Sequence, residues 1–320
     1  MNKRDPMAEK KKPRTRPPRN TTSATTETPD AKHPRLDRYA TPDLVAAFVD
    51  DQVEAVAAVR AAPVDIARAV DAAVPRMRAG GRLIYIGAGT SGRLGVLDSV
   101  ELTPTFNWPR ERARALMAGG DPAMYVSVEG AEDDAPQAAQ DLHRFGPNEN
   151  DVVICVAASG STPYVLGAIQ HARMCGALTI GIANNPGSPL AALAEIGITL
   201  ATGAEVISGS TRLKAGTAQK IALNTFSSAL MVRLHKVFGN LMVDLRASNT
   251  KLIARAERLT MLATGCTIDV ARETLSLCGW HIKTAIVAIE RKVDVDTADK
   301  LLDAADGDTW TALDAPLPPP

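Results

Sequence analysis

The chain has 320 residues, with 36 basic and 36 acidic side chains, so its formal net charge is zero. Hydrophobic residues make up 45% and charged residues 22%, which is typical of a globular protein with one large and one small domain. No run of 18 apolar residues without a charge occurs, which argues against a membrane-spanning helix. No apolar run follows the basic amino terminus, so a secretory signal is not expected.

The first 37 residues differ in composition from the rest of the chain. They hold ten Lys or Arg and five Asp or Glu, are rich in Pro and Thr, and contain almost no large apolar side chains. Because such a segment cannot bury enough apolar surface to fold, residues 1–37 are predicted to be a disordered basic tail. No aromatic residue interleaves with its charges, so nucleic acid is not an expected partner.

Helices and strands alternate through the middle of the sequence. Apolar residues at helical spacing predict two amphipathic helices, Leu44–Val59 and Val64–Met77. Four short apolar runs then predict buried strands, with helical patterns between them. The strands are predicted at Leu83–Ile86, Val152–Ala157, Leu178–Ile182 and Ile196–Leu200, and the helices at Arg93–Val100, Pro163–Met174 and Pro189–Ala194. This alternation predicts an α/β fold in three layers, with a parallel sheet covered by helices on both faces.

The carboxyl-terminal part is predicted to be entirely helical. A long helical pattern covers Thr211–Leu234, and strand signals cease after about residue 250. Four further helical patterns predict a small all-helical domain over residues 246–320, with Thr267 and Asp296 as helix N-caps. Residues 38–245 are assigned to the large domain and its preceding helices.

A glycine-rich segment, Gly87–Gly92, follows the first predicted strand and opens a helix. Its letters match the dinucleotide fingerprint G-x-G-x-x-G, but that site also needs an acidic residue ending the next strand, about 20 residues later. The chain there reads Trp108–Arg112, which is not a strand end. Two hydroxyls and the free N–H groups of a helix start suit a phosphate monoester. Thr90, Ser91 and Gly92 are therefore predicted to bind one.

Hydroxyl-rich segments recur at two later points. Ser159–Thr162 follows the strand Val152–Ala157, and residues 209–214 begin the long helix with further hydroxyls and two cations. Because open parallel sheets bind ligands at their carboxyl edge, these loops are predicted to form one phosphate cradle. Lys214 is the candidate for a direct charge contact, with an ordinary surface lysine as the alternative. The remaining cradle residues are predicted to be Ser159, Gly160, Ser161, Thr162 and Ser210.

Six strings of the chain resemble the N-acetylmuramic acid 6-phosphate etherases. They are LIYIGAGTSGRLGVLD (83–98), VEGAEDD (128–134), AASGSTPYVLGA (157–168), NNPGSPLAALA (184–194), GSTRLKAGTAQK (209–220) and FGNLMVDL (238–245). The resemblance implies a sugar-isomerase (SIS) domain with a small UBA-like helical domain, a homodimer, and no metal or organic cofactor. It also implies cleavage of the lactyl ether of MurNAc 6-phosphate to GlcNAc 6-phosphate and D-lactate, in bacterial cell-wall recycling.

The resemblance places the two catalytic glutamates of the family on Glu101 and Glu132. Without it, the acidic segment Glu129–Asp134 is typical of a solvated loop. In the ring-opened sugar an aldehyde at C1 acidifies the C2 proton, so one carboxylate removes that proton while a carboxylic acid protonates the departing lactyl oxygen. Glu101 is predicted to be the acid because Val100 and Leu102 would desolvate it, and Glu132 is predicted to be the base.

The chain departs from the family pattern near these groups. Val100, Leu102 and Thr103 replace the usual neighbours of the first glutamate, and Ser161 stands where family members carry an arginine. A third change puts Asn184 before the Asn-Pro-Gly-Ser turn. The first change adds apolar surface near the proposed acid, and the second removes a cation from the proposed phosphate loop.

Two aspects of the predicted site leave alternatives open. Along a helix Glu101 would lie roughly 15 Å from Ser91, which is farther than the sugar extends from its phosphate. Either the helix stops early near Pro104, or Glu101 serves a site shared with a second subunit. Glu205 precedes the third loop, where SIS isomerases hold a glutamate that faces the sugar. It is predicted to assist ring opening, with an ordinary loop carboxylate as the alternative.

Other kinds of site are not indicated. The histidines show no ligand spacing, which argues against zinc, and no GxSxG elbow occurs. The cysteines lack a CxxC pair and are predicted to be free thiols of a cytoplasmic protein. The expected partner is a small sugar phosphate. Three rival functions remain: a sugar-phosphate isomerase, a non-catalytic sugar-phosphate-binding regulator on the same fold, and nucleic-acid binding through the tail.

Overall fold

The computed structural model describes residues 24–245 and 249–317. Within these ranges no helix is long and apolar enough to cross a membrane. The elements, labelled in chain order, are α1 (Thr41–Arg60), α2 (Pro63–Arg78), β1 (Leu83–Gly87), α3 (Gly89–Phe106), β2 (Ala113–Met117), α4 (Ala135–Phe145), β3 (Val152–Ala157), α5 (Pro163–Met174), β4 (Leu178–Ala183), α6 (Pro189–Leu193), β5 (Ile196–Thr199), α7 (Lys214–Arg233), α8 (Thr250–Thr264), α9 (Ile268–Leu277), α10 (Ile282–Arg291), α11 (Val295–Ala304) and α12 (Thr309–Asp314).

The five strands form one parallel sheet in the order β2-β1-β3-β4-β5. Gly87 at the end of β1 is in register with Val156 of β3, and Ala157 with Ala183 of β4. The carboxyl ends of the three central strands therefore meet at one edge, where parallel sheets bind ligands. The predicted α/β fold with a parallel sheet is confirmed.

The sheet is buried on both faces. Successive side chains of β3 point to opposite sides, as in any strand. Val152 and Ile154 pack into a core with α2 and α7, whereas Val153 and Cys155 pack into a second core with α4 and α5. All four side chains are fully buried. Burial on both faces explains why this strand is a continuous apolar run in the sequence.

The edge strand β2 was missing from the prediction, which has four strands. Ala113 and Met117 are buried at its ends, but Arg114 between them is exposed. A short edge strand that carries a charge lacks the apolar run by which the other strands were found.

The helices α8–α12 form their own small cores, which confirms the predicted helical carboxyl-terminal part. Thr267 caps α9, as predicted, since its side chain accepts a hydrogen bond from the backbone N–H of Val270. The predicted cap at Asp296 is wrong, because Asp294 accepts from the N–H of Thr297 and caps α11. The UBA-like character of this part stays a prediction.

The segment before α1 packs against the large domain. Thr26 is fully buried, and its hydroxyl accepts a hydrogen bond from Nδ2 of Asn185 at 3.0 Å. The N–H of Gly209 donates to the carbonyl of Thr26. The predicted tail boundary at residue 37 is therefore too late, because residues 24–37 include this packed segment. Residues 1–23 lie outside the described residues.

Candidate active site

The three hydroxyl-rich loops lie at the carboxyl side of the sheet and its neighbouring helix. The first joins β1 to α3, the second joins β3 to α5, and the third precedes α7. Since β1 and β3 are adjacent in the sheet, the first two loops are neighbours. A buried hydrogen-bond chain, described below, ties the first loop to α7. The structure thus places the first loop beside the second loop and against α7, the helix that the third loop precedes, and the cradle itself stays a prediction.

The first loop depends on two glycines that touch. A Cβ on Gly87 would lie 2.6 Å from the backbone nitrogen of Gly92, and a Cβ on Gly92 would lie 2.8 Å from the carbonyl oxygen of Gly87. Neither position has room for a side chain, so the helix starts directly against the end of the strand. The first N–H groups of α3 have no partner within the helix and are suited to an anion. Thr90 is half-buried and Ser91 is buried at this helix start.

Ser91 is the first member of a buried polar chain. Its hydroxyl donates to Oε1 of Gln219 at 2.8 Å, and Nε2 of Gln219 donates to Oδ1 of Asn184 at 2.8 Å. Gln219 lies on α7 and Asn184 follows β4. Sequence reasoning missed both residues as parts of the site. The available signals were a glutamine within an apolar helix face and an asparagine directly after a buried strand.

The second loop is shaped by Gly160, whose φ of 66° is in the left-handed region. A Cβ there would lie 2.4 Å from the Cβ of Ser188, so only glycine fits. The backbone N–H of Ser161 donates to the hydroxyl of Ser159 at 3.2 Å. The Ser161 side chain is exposed and Thr162 is half-buried. Two of the predicted hydroxyls are therefore accessible to a ligand at this loop.

Glu205 has a different place from the one predicted. It is fully buried, and its two carboxylate oxygens accept hydrogen bonds from the backbone N–H groups of Lys214 and Ala215, at 3.1 and 3.0 Å. Burial raises the pKa of this carboxyl, and the two N–H donors only partly oppose the rise. Contact with a sugar requires an exposed carboxylate, which Glu205 lacks. The structure gives it the role of closing the amino end of α7.

Lys214 is likewise buried and paired within the chain. Its ammonium donates to Oδ1 of Asp51 at 2.8 Å and to Oε2 of Glu54 at 2.7 Å, both on α1. Burial by itself lowers the pKa of Lys214, but the hydrogen bonds to the two carboxylates outweigh it and raise the pKa. The ammonium faces α1 in this structure, which corrects the predicted direct contact with phosphate. Ser210, half-buried in the turn before α7, remains part of the predicted cradle.

Glu101 lies far along α3 from the first loop. The helix runs without a break from Gly89 to Phe106 and includes Pro104, so it does not stop early. Glu101 is exposed and lines a cavity of 330 Å³ between α3 and α7. The cavity is also lined by Leu94, Leu97, Asp98, Thr105, Lys220, Leu223 and Asn224.

The neighbours of Glu101 do not enclose its carboxyl within the single chain. Val100 is 56% exposed, whereas Leu102 is 2% exposed and packs in the core that α2 and α7 share. The desolvation predicted from these two neighbours is therefore not seen in the described chain, where the apolar side chains near Glu101 are the leucines of the cavity.

Glu132 is exposed in a short 3-10 turn, Ala131–Asp133, directly before α4. In the same acidic segment the carboxylate of Asp134 accepts a hydrogen bond from the N–H of Gln137 and caps α4. Ala131 packs against the core that α5 shares. The turn therefore lies on the face of the sheet that is covered by α5, the helix that follows the second loop. Among the described residues, no group of three or more His, Cys, Asp or Glu is arranged to hold a metal ion.

The chain is 57% identical over 272 residues to an N-acetylmuramic acid 6-phosphate etherase of Deinococcus radiodurans, covering 85% of this chain and 89% of that one. It is 45% identical over 290 residues to the enzyme of the same name from Mycolicibacterium smegmatis, covering 91% and 97%. The chain belongs to the N-acetylmuramic acid 6-phosphate etherase family. Residues 65–173 of this etherase-family chain match the glucokinase regulatory protein N-terminal SIS domain, and residues 134–229 match the SIS domain.

Solved structures are similar to part of this etherase-family chain. A putative phosphosugar isomerase involved in capsule formation from Bacteroides fragilis is 23% identical, with a TM-score of 0.47, over 61% of this chain and 91% of that one. The roles of Glu101 and Glu132 in the etherase-family site stay predictions.

Proposed function

We propose that this protein is a MurNAc 6-phosphate etherase, a carbon–oxygen lyase that converts MurNAc 6-phosphate and water to GlcNAc 6-phosphate and D-lactate. The observation that carries the proposal is the 57% identity to a named etherase over 85% of the chain. The geometry agrees with it: two neighbouring loops at the carboxyl edge of the sheet present hydroxyls and helix N–H groups that suit a phosphate monoester.

The reaction needs one acid and one base. With the sugar ring open, a carboxylate removes the proton at C2, and the electron pair forms the C2–C3 double bond as the C3–oxygen bond breaks. A carboxylic acid gives its proton to the departing lactyl oxygen, and water then adds across the double bond. We assign the acid to Glu101 and the base to Glu132, and each proton transfer contributes about 10²–10⁴-fold to the rate.

The active site is proposed to be shared within a homodimer. Glu101 and Ser91 are separated by about 15 Å along an unbroken helix, and this separation supports a site to which two chains contribute. A partner chain would also enclose the exposed side of Glu101. Val45, Val49, Val53 and Val56 form an exposed apolar stripe on α1, and an apolar groove between α1, α2 and α7 lies next to it. This surface supports contact with a second copy.

The free thiols support a reducing cytoplasm as the location of the protein.

The direct test is incubation of the protein with MurNAc 6-phosphate, followed by assays for D-lactate and GlcNAc 6-phosphate. In ¹⁸O-labelled water the label should enter the sugar at C3, because water adds to the alkene. Glu101→Gln and Glu132→Gln should each lower the rate by about 10²–10⁴-fold. An isomerised sugar phosphate formed without lactate would refute the etherase assignment.

Subunit mixing tests the shared site. Glu101→Gln removes the proposed acid, and Ser161→Asp puts a negative charge on the exposed second loop. If each site draws one residue from each chain, a mixed dimer keeps one intact site. Random mixing of two inactive variants should then restore about a quarter of the wild-type activity. No recovery in dimers shown to be mixed would place both residues in a site within one chain.

A further inference from the structure

The side chain of Gln219 bridges two of the segments that form the proposed site. It is 1% exposed on α7, and its two amide atoms bond Ser91 of the first loop and Asn184 after β4. Asn184 is fully buried. Its backbone N–H donates to the carbonyl of Ala158, the residue before Ser159. The first and second loops are thus connected through one glutamine.

We call the hydrogen-bonded chain from Ser91 through Gln219 to Asn184 the relay. Backbone carbonyl groups set the direction of each of its hydrogen bonds. Nδ2 of Asn184 donates to the carbonyl oxygens of Leu200 and Ala215, at 3.2 and 3.4 Å. Because a carbonyl oxygen accepts and never donates, Asn184 must turn its amino group toward them and its oxygen toward Gln219. Gln219 must then donate to Asn184, and its own oxygen is left to accept from Ser91.

The relay therefore engages the one hydroxyl proton of Ser91. A serine hydroxyl has a single proton to donate, and here it is held by Oε1 of Gln219. Ser91 fixes the loop by this bond, which leaves the backbone N–H groups at the start of α3 and the accessible hydroxyls of the second loop as the candidate phosphate donors.

We propose that Gln219 is a positioning residue for the sugar-phosphate site, which holds the first loop in its binding conformation through Ser91 and takes its own orientation from Asn184. The inference rests on the proposed function, because it assumes that the first loop binds the phosphate. It adds that Ser91 and Gln219 act as one unit. Loss of either should weaken substrate binding to a similar degree, with little change in turnover once substrate is bound.

The first experiment is a double-mutant cycle on KM and kcat for lactate release. Gln219→Met keeps the volume but removes both hydrogen bonds, and we expect KM to rise about tenfold with kcat within about twofold. Ser91→Ala should give a similar rise, and the double variant should be no worse than either single one. The control is Gln170→Met, at an exposed glutamine of α5, which should leave KM unchanged. Additive effects, or an unchanged KM in Gln219→Met, would overturn the proposal.

The second experiment separates hydrogen bonding from packing. In Gln219→Glu a protonated carboxyl can accept from Ser91 and donate to Asn184, whereas a carboxylate sets an acceptor against the Asn184 oxygen. Desolvation raises the pKa of a carboxyl buried there, so the introduced carboxyl should lose its proton near neutral pH. The ratio of its KM to that of wild type should be near one at pH 5.5 and rise to about tenfold at pH 8. A ratio that does not change with pH would indicate packing alone and overturn the proposal.

Calorimetric binding of GlcNAc 6-phosphate separates this inference from the proposed function. If the wild type binds the sugar phosphate but releases no lactate from MurNAc 6-phosphate, the etherase assignment fails. The relay can still be tested in that case, because the affinity of each variant for GlcNAc 6-phosphate can be compared with that of the wild type. If the wild type is active and Gln219→Met binds normally, the relay fails and the etherase assignment stands.

Discussion

Glu205 and Lys214 meet at the first turn of α7, where a carboxylate oxygen of Glu205 accepts a hydrogen bond from the backbone N–H of Lys214 at 3.1 Å. The other oxygen accepts from the N–H of Ala215 at 3.0 Å. A carboxylate at this position satisfies two N–H groups that the helix leaves unpaired and lies at the positive end of the helix dipole. The segment that precedes the third loop is therefore attached to the start of α7 by buried hydrogen bonds.

Replacement of Glu205 should destabilise the fold. Glu205→Ala leaves two buried N–H groups without partners, and we expect the free energy of unfolding to fall by about 2–4 kcal/mol. Glu205→Gln keeps one acceptor oxygen and should cost less. Urea denaturation measures both, and Thr267→Ala, at an exposed cap of α9, is a matched control expected to cost about 1 kcal/mol. Equal losses for Glu205→Ala and the control would contradict the buried-cap interpretation.

The ion pair of Lys214 predicts a second large effect. Lys214→Met leaves the buried carboxylate of Asp51 without its cation, and the free energy of unfolding should fall by about 3–5 kcal/mol. Adding Asp51→Leu removes that unpaired charge and should restore much of the loss. The control is Lys32→Met, which removes an exposed lysine from Glu54, at the other end of the same network, and should change stability little. A double variant as unstable as Lys214→Met would argue against the unpaired charge as the cause.

Glu205 and Lys214 also show which part of the site could not be predicted from the sequence. The buried strands β1, β3, β4 and β5 were predicted because their burial is encoded locally, in short apolar runs bounded by turns. Lys214 and Glu205 were assigned to ligand binding because their partners were not visible in the sequence. Asp51 stands 163 positions from Lys214, and nothing in the local pattern connects them.

In the amino-terminal segment, contacts with distant residues were likewise not visible in the sequence, and a packed segment was predicted to be disordered. Residues 24–37 have the composition of a disordered tail, yet Thr26 is fully buried against Asn185, 159 positions away. Composition reports how much apolar surface a segment carries, whereas this segment is held by hydrogen bonds to one asparagine and two loop residues. The hydroxyl-rich loops were found because strand, turn and helix start follow each other directly in the chain.

Gly160 permits a prediction about the second loop. A Cβ at this position would lie 2.4 Å from that of Ser188, in addition to the left-handed backbone at φ 66°. Gly160→Ala should displace the loop by a sizeable fraction of an ångström and raise KM for the sugar phosphate, by roughly 10²-fold if the shift reaches 1 Å. Gly187→Ala is the matched control, because its φ is 70° but nothing lies within 4 Å of the added Cβ. If the two variants have the same KM, backbone strain rather than the contact with Ser188 explains the effect.

Asp98 predicts a pH dependence of stability. It is 4% exposed on α3 and accepts hydrogen bonds from the hydroxyls of Tyr85 and Ser227 and from Nδ2 of Asn224. Burial raises the pKa of this carboxyl above its ordinary value, and the hydrogen bonds from Tyr85 and Ser227 only partly oppose the rise. The folded protein therefore holds the Asp98 proton more tightly than the unfolded chain does.

The sign of the effect follows from linkage. A raised folded-state pKa contributes stability that is present below the unfolded value, about 3.9 for an aspartate, and is lost as pH rises through the folded value. Asp98→Asn removes the titration, so the difference in the free energy of unfolding between wild type and Asp98→Asn should shrink as pH rises from 4 to 7.5. Chemical denaturation at several pH values measures it, with Asp65→Asn, at a partly exposed carboxylate of α2 that pairs with Arg68, as the control for loss of charge. A difference that grows with pH would mean that the hydrogen bonds to the ionised carboxylate outweigh its burial.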